Sequence, residues 1–326
     1  MMPLLLVVMA ASLAESEAVA HIQTLLQTGK PEQALTEIGK LDGAARNQPL
    51  LKHLAGLALY QKGDYEQAIE YLTASFAQTP KGVARRLQAA HLLGMSHYFL
   101  GHVSEALPFL TEIEGSSFDT SETQYLRGVC QLQLHRVDDS RKTFARMFSL
   151  PAESAASHLI NAQMMIRQQL EELAVPELEK ALALDPKLPQ AHFLLGEMAI
   201  YKAHIDRGIQ LLQKEIALNP GFAMAYYRLG EAYTRQLKWD EAVSPLQKSI
   251  WLNPFFSGPF IVLGKVYLKK GDLENAESML KRALAMDVNN YSGHHLLAQV
   301  YQKAGRHEES RKELQTAERL RSNSQP

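Results

Sequence analysis

Residues 182–186 read Leu-Ala-Leu-Asp-Pro, residues 216–220 read Ile-Ala-Leu-Asn-Pro, and residues 250–254 read Ile-Trp-Leu-Asn-Pro. The three prolines are therefore 34 residues apart along the chain. An apolar stretch that stops at Asp-Pro or Asn-Pro indicates the end of a helix, because the residue before proline is disfavoured in helical conformation. A period of this length is typical of stacked helix pairs, which is one way for 326 residues to fold without a single large core.

Other residue types keep the same period. Gly196, Gly230 and Gly264 each follow a leucine and are again 34 residues apart. Extending this spacing in both directions predicts nine units, with one insertion of four residues around 83–86. The predicted units are 15–48, 49–82, 87–120, 121–154, 155–188, 189–222, 223–256, 257–290 and 291–324, and residues 325–326 form a tail.

Each unit contains two stretches with the spacing of an amphipathic helix, separated by a short polar turn. In the turns Lys62-Gly63-Asp64 and Lys270-Gly271-Asp272, glycine can take the left-handed conformation that ends a helix. The aspartate that follows can cap the next helix, and Gln67 stands three residues after Asp64, as in a capping box. The pattern therefore predicts an all-α chain of helix pairs.

The recurring residues resemble the tetratricopeptide repeat (TPR) family. Two units carry the resemblance most clearly, through Tyr226, Leu229, Gly230, Tyr233, Ala242, Leu246 and Pro254, and through Phe260, Leu263, Gly264, Tyr267, Ala276 and Leu280. The resemblance covers nearly the whole chain after Glu15 and implies a right-handed superhelical solenoid of about nine antiparallel helix pairs with a concave inner face. The middle units depart from the pattern, with His97, Arg127, Gln131 and Asn161 at places where apolar residues are expected.

One side of the first helices points away from their packing partners, and the resemblance implies that this side lines the concave groove. Aromatic residues at its places predict a surface that binds a peptide, although a tightly wound solenoid or a dimer could bury them instead. These aromatic residues are Tyr60, His91, Tyr98, Phe99, Tyr125, Phe193, Tyr201 and Tyr227. Basic side chains follow in the later units and would suit an acidic or C-terminal group of the partner: Arg167, Arg235, Lys265 and Lys269.

Composition argues against several other functions. The chain has 34 basic and 35 acidic side chains, a formal net charge of −1, so we expect no nucleic-acid partner. Its single cysteine, Cys130, excludes an intrachain disulfide and a cysteine-based zinc site. The twelve histidines show no metal-binding spacing, and no phosphate loop or nucleophile elbow is present. We therefore expect no catalytic residues, no metal, no cofactor and no enzyme activity.

The first fourteen residues, Met1–Ala14, carry no charge and are largely apolar. They are too short to span a bilayer as a helix, and the small residues before Glu15 resemble a signal-peptide cleavage site. We therefore predict a signal peptide at 1–14, an exported or periplasmic protein, and no stable membrane insertion after processing. If this segment is not cleaved, it would be a cap on the solenoid of a cytoplasmic protein.

The sequence thus predicts an exported protein-interaction scaffold that binds a protein or peptide segment in a concave groove. One alternative is a cytoplasmic adaptor or assembly factor of the same family. A helical repeat that reads RNA is a second alternative, which the near-neutral charge disfavours.

Overall fold

The computed structural model describes residues 16–323, and every regular element in that range is an α-helix, which confirms the predicted all-α fold. The predicted signal peptide and the tail at 325–326 lie outside the described residues. In chain order the helices are α1 (16–27), α2 (Pro31–Lys40), α3 (Gly43–Arg46), α4 (Pro49–Lys62), α5 (Tyr65–Gln78), α6 (Ala84–Phe99), α7 (Val103–Glu112), α8 (Ser121–Gln133), α9 (Val137–Met147), α10 (Ala155–Arg167), α11 (Glu171–Leu184), α12 (Ala191–Tyr201), α13 (Ile205–Leu218), α14 (Ala223–Arg235), α15 (Trp239–Leu252), α16 (Ser257–Lys270), α17 (Leu273–Met286), α18 (Tyr291–Lys303) and α19 (His307–Asn323).

Apart from the short α3, these helices form nine pairs, and the first helix of each pair is followed by one residue with positive φ. The φ angles of these residues lie between 57° and 83°. The left-handed residues are Gly29, Gly63, Gly101, His135, Gln169, Ala203, Leu237, Gly271 and Gly305. A left-handed residue reverses the chain at the end of a helix, so its recurrence defines the same turn in every pair.

The two turns that the sequence identified have the predicted geometry. Gly63 and Gly271 have φ angles of 79° and 83°. The Asp64 side chain accepts a hydrogen bond from the backbone N–H of Gln67 at 3.3 Å, and Asp272 accepts one from Asn275 at 3.2 Å. Both aspartates therefore cap the second helix of their pair.

Polar residues in the middle of the chain are buried with polar partners. Asn161 is fully buried, accepts a hydrogen bond from Ser140 Oγ at 2.9 Å, and donates to the Val137 carbonyl at 3.2 Å. The Gln131 side chain accepts from Thr143 Oγ1 at 2.8 Å. The departures from the family pattern therefore occur together with hydroxyl residues on the neighbouring helix, which satisfy the buried amides.

Contacts divide the described chain into two compact units, residues 16–174 and 175–323, with the boundary inside α11. In unit 2 each helix packs on the next from α12 to α19, and the first helices also contact one another, α12 with α14, α14 with α16, and α16 with α18. The first helices of unit 2 therefore form a continuous layer, and so do α4 and α6 in unit 1.

Candidate functional site

The predicted inner side of the first helices contains a cavity in each unit. We call this side the first-helix face. In unit 2 a cavity of about 590 Å³ opens between α14, α16 and α18. It is lined by Tyr227, Glu231, Phe256, Ser257, Gly258, Ile261, Val262, Lys265, Asn290, Tyr291, Ser292, His295 and Leu296. We refer to it as the unit-2 cavity.

Aromatic rings form two walls of the unit-2 cavity. Tyr227 and Phe256 meet edge to face, with ring centroids 5.0 Å apart and an interplanar angle of 81°. Tyr291 stacks on His295 at 5.9 Å and 15°. The His295 Nε2 lies 2.9 Å from the Gln299 side-chain amide, which holds the imidazole in place. Between these walls the cavity offers an apolar site with polar groups at its margin, as is usual for a ligand site.

The acidic group of the cavity is hydrogen-bonded within the protein. Glu231 accepts a hydrogen bond from Tyr227 Oη at 2.9 Å and pairs with Arg228 Nη1 at 2.7 Å. Arg228 Nε also donates to Glu197 at 2.7 Å, so one guanidinium serves two carboxylates. Burial, and then the adjacent Glu231 carboxylate, raise the pKa of Tyr227, which therefore stays protonated as the donor.

Lys265 lies outside this network. Its side chain lines the cavity, and it makes no ion pair or hydrogen bond with a described residue. Arg235 and Lys269, at an equivalent place of α14 and α16, are exposed, and Arg235 has one long contact of 3.5 Å to the Ile200 carbonyl. The first-helix face of unit 2 therefore presents unpaired positive charge beside an aromatic cavity.

Unit 1 has a cavity of about 580 Å³ with a different lining. His53 Nε2 lies 3.0 Å from Gln88 Oε1, and Phe118 and Arg85 stand at its margin. Burial lowers the pKa of His53, so the imidazole is held neutral. Amide side chains supply much of the remaining polar lining, through Gln23, Gln27 and Gln61.

The structure divides the predicted groove residues between the two units and brings only Tyr227 and Lys265 into a described cavity. Phe193 is 7% exposed and belongs to the core, which corrects its placement on an accessible surface. Tyr60, Tyr98 and Tyr125 are half-buried against core residues. His91 is half-buried beside Phe118, and burial lowers its pKa. The remaining predicted groove residues are exposed: Phe99, Arg167, Tyr201, Arg235 and Lys269.

Sequence reasoning missed Phe256, Tyr291 and His295. The groove prediction rests on places within the first helices, whereas Phe256 lies in the turn before α16. A usable signal did exist, because Phe222 stands 34 residues before Phe256. Phe222 packs on Phe193 at 4.9 Å much as Phe256 packs on Tyr227 at 5.0 Å, so the aromatic pair repeats.

Helix pairs stacked in sequence, with cavities on the face of the first helices, define a helical-repeat protein. Three models of the tetratricopeptide repeat match the chain, at residues 19–83, 224–255 and 267–325. The chain belongs to the tetratricopeptide repeat family. Among the described residues, no helix is both long and apolar enough to cross a membrane.

Solved structures that match part of this chain include MamA, at 22% identity over 50% of this chain and 95% of that one, with a TM-score of 0.46. MamA from Desulfovibrio magneticus RS-1 is 18% identical over 53% of this chain and 97% of its own, with a TM-score of 0.49. YrrB, a TPR protein with an unusual peptide-binding site, is 19% identical over 53% of this chain and 89% of its own, with a TM-score of 0.47. No curated protein sequence matches this chain.

Proposed function

We propose that this chain is a protein-interaction scaffold whose unit-2 cavity binds an extended or helical segment of a partner protein. The observation that carries the proposal is the unpaired ammonium of Lys265 in a cavity walled by Tyr227, Phe256 and Tyr291. An apolar site beside an unpaired charge fits a peptide that presents an apolar side chain next to a carboxylate.

The chemistry of the cavity specifies the segment further. Glu231 is engaged by Tyr227 and Arg228, and it makes no ion pair with Lys265. The ammonium is free to pair with an acidic side chain or with a C-terminal carboxylate of the partner. An apolar or aromatic side chain of the same segment would lie between the rings, where large buried anchors supply most binding energy. Arg235 and Lys269 would attract the segment from outside.

The experiment uses peptides displayed with free C-termini, selected on the full chain. An enriched peptide is then measured by fluorescence anisotropy against wild type and Lys265→Gln. A hydrogen bond to a charged group is worth about 1.5–3 kcal/mol, so we expect the variant to bind about tenfold or more weakly. Lys214→Gln is the matched control, because Lys214 is exposed on α13, away from the cavity lining. Equal binding to wild type and Lys265→Gln would place the site elsewhere.

The proposal includes export. The uncharged stretch Met1–Ala14, followed directly by Glu15, supports a cleaved signal peptide. Expressed in a bacterium and fractionated, the protein is expected outside the cytoplasm, with Glu15 as its first residue by mass spectrometry. Recovery of the intact chain with Met1 from the cytosol would support the cytoplasmic adaptor instead.

A further inference from the structure

The second helices of unit 2 carry a series of exposed apolar side chains that the first-helix face does not use. They lie in the last turn of α11, α13, α15 and α17, or just after these helices. Trp251 is 70% exposed and Phe255 is 88% exposed, and neither lines the unit-2 cavity. The full set, which we call the second-helix edge, is Leu184, Leu218, Trp251, Phe255, Met286 and Val288.

A basic residue stands one helical turn before the end of each of these helices. These residues are Lys180, Lys214, Lys248 and Arg282, spaced 34 apart. Residues three or four positions apart lie on the same side of a helix, so the basic and apolar side chains are neighbours. The Lys248 ammonium lies 3.9 Å from the centre of the Trp251 ring, which shows this proximity directly.

Two of the carboxylates on these helices are engaged within the protein. Glu215 is fully buried and accepts hydrogen bonds from the backbone N–H groups of Gln190 at 2.9 Å and Phe193 at 3.3 Å. Glu177 pairs with Lys180 at 3.0 Å. The basic residues considered further are therefore Lys214, Lys248 and Arg282 of the three later helices. Asp185 and Asp287, which follow Leu184 and Met286, accept hydrogen bonds from the Lys187 N–H and the Asn290 amide. The edge therefore combines protruding apolar groups with the basic side chains of Lys214, Lys248 and Arg282, beside these two carboxylates.

We propose that the second-helix edge docks unit 2 onto the headgroup region of a bilayer that contains anionic lipid. Trp251 and Phe255 would enter the interface, and Lys214, Lys248 and Arg282 would face the lipid phosphates. Tryptophan favours this interfacial depth, and basic residues bind anionic surfaces. Side chains as exposed as Trp251 and Phe255 stand out from the protein, so they fit a deformable apolar phase better than they would fit a flat protein surface.

The test is co-sedimentation of the full chain with vesicles of phosphatidylcholine alone, or with 30% phosphatidylglycerol. We expect wild type to bind the anionic vesicles at least tenfold more strongly than the neutral ones. The double variant Trp251→Ala, Phe255→Ala should bind the anionic vesicles at least tenfold more weakly than wild type. A basic residue near an anionic surface contributes about 1 kcal/mol to binding. Lys214→Gln and Lys248→Gln should therefore each weaken binding to the anionic vesicles about fivefold at low salt.

Controls separate this proposal from the peptide site, on which it does not depend. Tyr201→Ala removes an aromatic ring that is 83% exposed on α12, and Lys265→Gln removes a cation of the cavity. Both variants should bind vesicles as wild type does, and melting curves should show that all variants fold. Unchanged vesicle binding by the double variant would overturn the proposal. So would a wild type that ignores vesicles but dimerises through Trp251 and Phe255 in light scattering, since the edge would then join two copies.

Discussion

Gly230 of α14 lies against Leu246 of α15 so closely that a Cβ on residue 230 would be 2.5 Å from the Leu246 Cγ. The two residues are sixteen positions apart. The same separation recurs, with Cβ distances between 2.5 and 2.8 Å, in Gly56–Leu72, Gly94–Leu110, Gly128–Phe144 and Gly264–Leu280. In these five pairs the side chain of the second helix occupies the space that a Cβ would need, so glycine allows the two helices to approach this closely.

We expect Gly230→Ala to lower the free energy of unfolding by about 1–3 kcal/mol, the usual cost of overpacking a core. The loss would come despite the higher helix propensity of alanine, which favours the variant by about 1 kcal/mol. Urea unfolding followed by circular dichroism measures the difference.

Gly39→Ala is the matched control for this exchange. Gly39 lies in α2, and a Cβ there would have no neighbour within 4 Å. Only the higher helix propensity of alanine then acts, so the free energy of unfolding of this variant should rise by about 0.5–1 kcal/mol. A gain in both variants would show that the contact between Gly230 and Leu246 is looser than described.

The period of the sequence predicted the helix pairs, but it did not predict every turn between them. Glycine marks the turns at Gly63 and Gly271, whereas His135, Gln169, Ala203 and Leu237 take the same left-handed conformation without that signal. Local preference disfavours such residues there by about 1–2 kcal/mol. Packing of the two helices fixes the turn, and that contribution is not visible in a local sequence window.

Leu237 offers a direct test of this local cost. Its φ angle is 60° and its side chain is 69% exposed, so little packing is lost when the side chain is removed. We expect Leu237→Gly to raise the free energy of unfolding by about 1 kcal/mol, because glycine adopts this conformation without strain. The reverse exchange, Gly271→Ala at the equivalent turn, should lower it. Thermal melts that move in the same direction for both variants would contradict this account.

The sequence predicted which helix face carries the candidate site better than it predicted how deeply each side chain is buried. Helical periodicity placed Tyr227 and Lys265 on one face, and both line the unit-2 cavity. The same reasoning placed Phe193 there, although it is buried under Phe222. Periodicity gives the direction in which a side chain leaves the helix axis. It does not show whether a residue from a neighbouring turn covers that side chain. The repeat period relates Phe222 to Phe256, but the three-dimensional structure is needed to show that they pack on Phe193 and Tyr227.

The buried Arg127 provides a third prediction. Its guanidinium is fully buried and lies 3.0 Å from Asp119, and it donates to the Leu110 carbonyl at 3.0 Å. Removing one partner leaves a buried charge uncompensated, so Asp119→Ala should lower the free energy of unfolding by about 3–5 kcal/mol. The double variant Arg127→Met, Asp119→Ala removes both charges and should recover much of that loss. Urea unfolding of the two variants checks this, and equal losses would mean that the ion pair does not determine the cost.

Charge outside the cavity should act on the rate of peptide capture. Arg235 is exposed on the first-helix face, so its charge is screened by salt and adds little to the final complex. We expect Arg235→Glu to slow association with a selected acidic peptide several-fold at low ionic strength, and to have little effect at 0.5 M salt. Lys265→Gln should instead speed dissociation at both salt concentrations, because its partner is held inside the cavity. Stopped-flow anisotropy separates the two rates, and Lys214→Glu is the control with the same charge change on α13. If Arg235→Glu sped dissociation and left association unchanged, Arg235 would belong to the buried contact, and the boundary of the site would move toward α12.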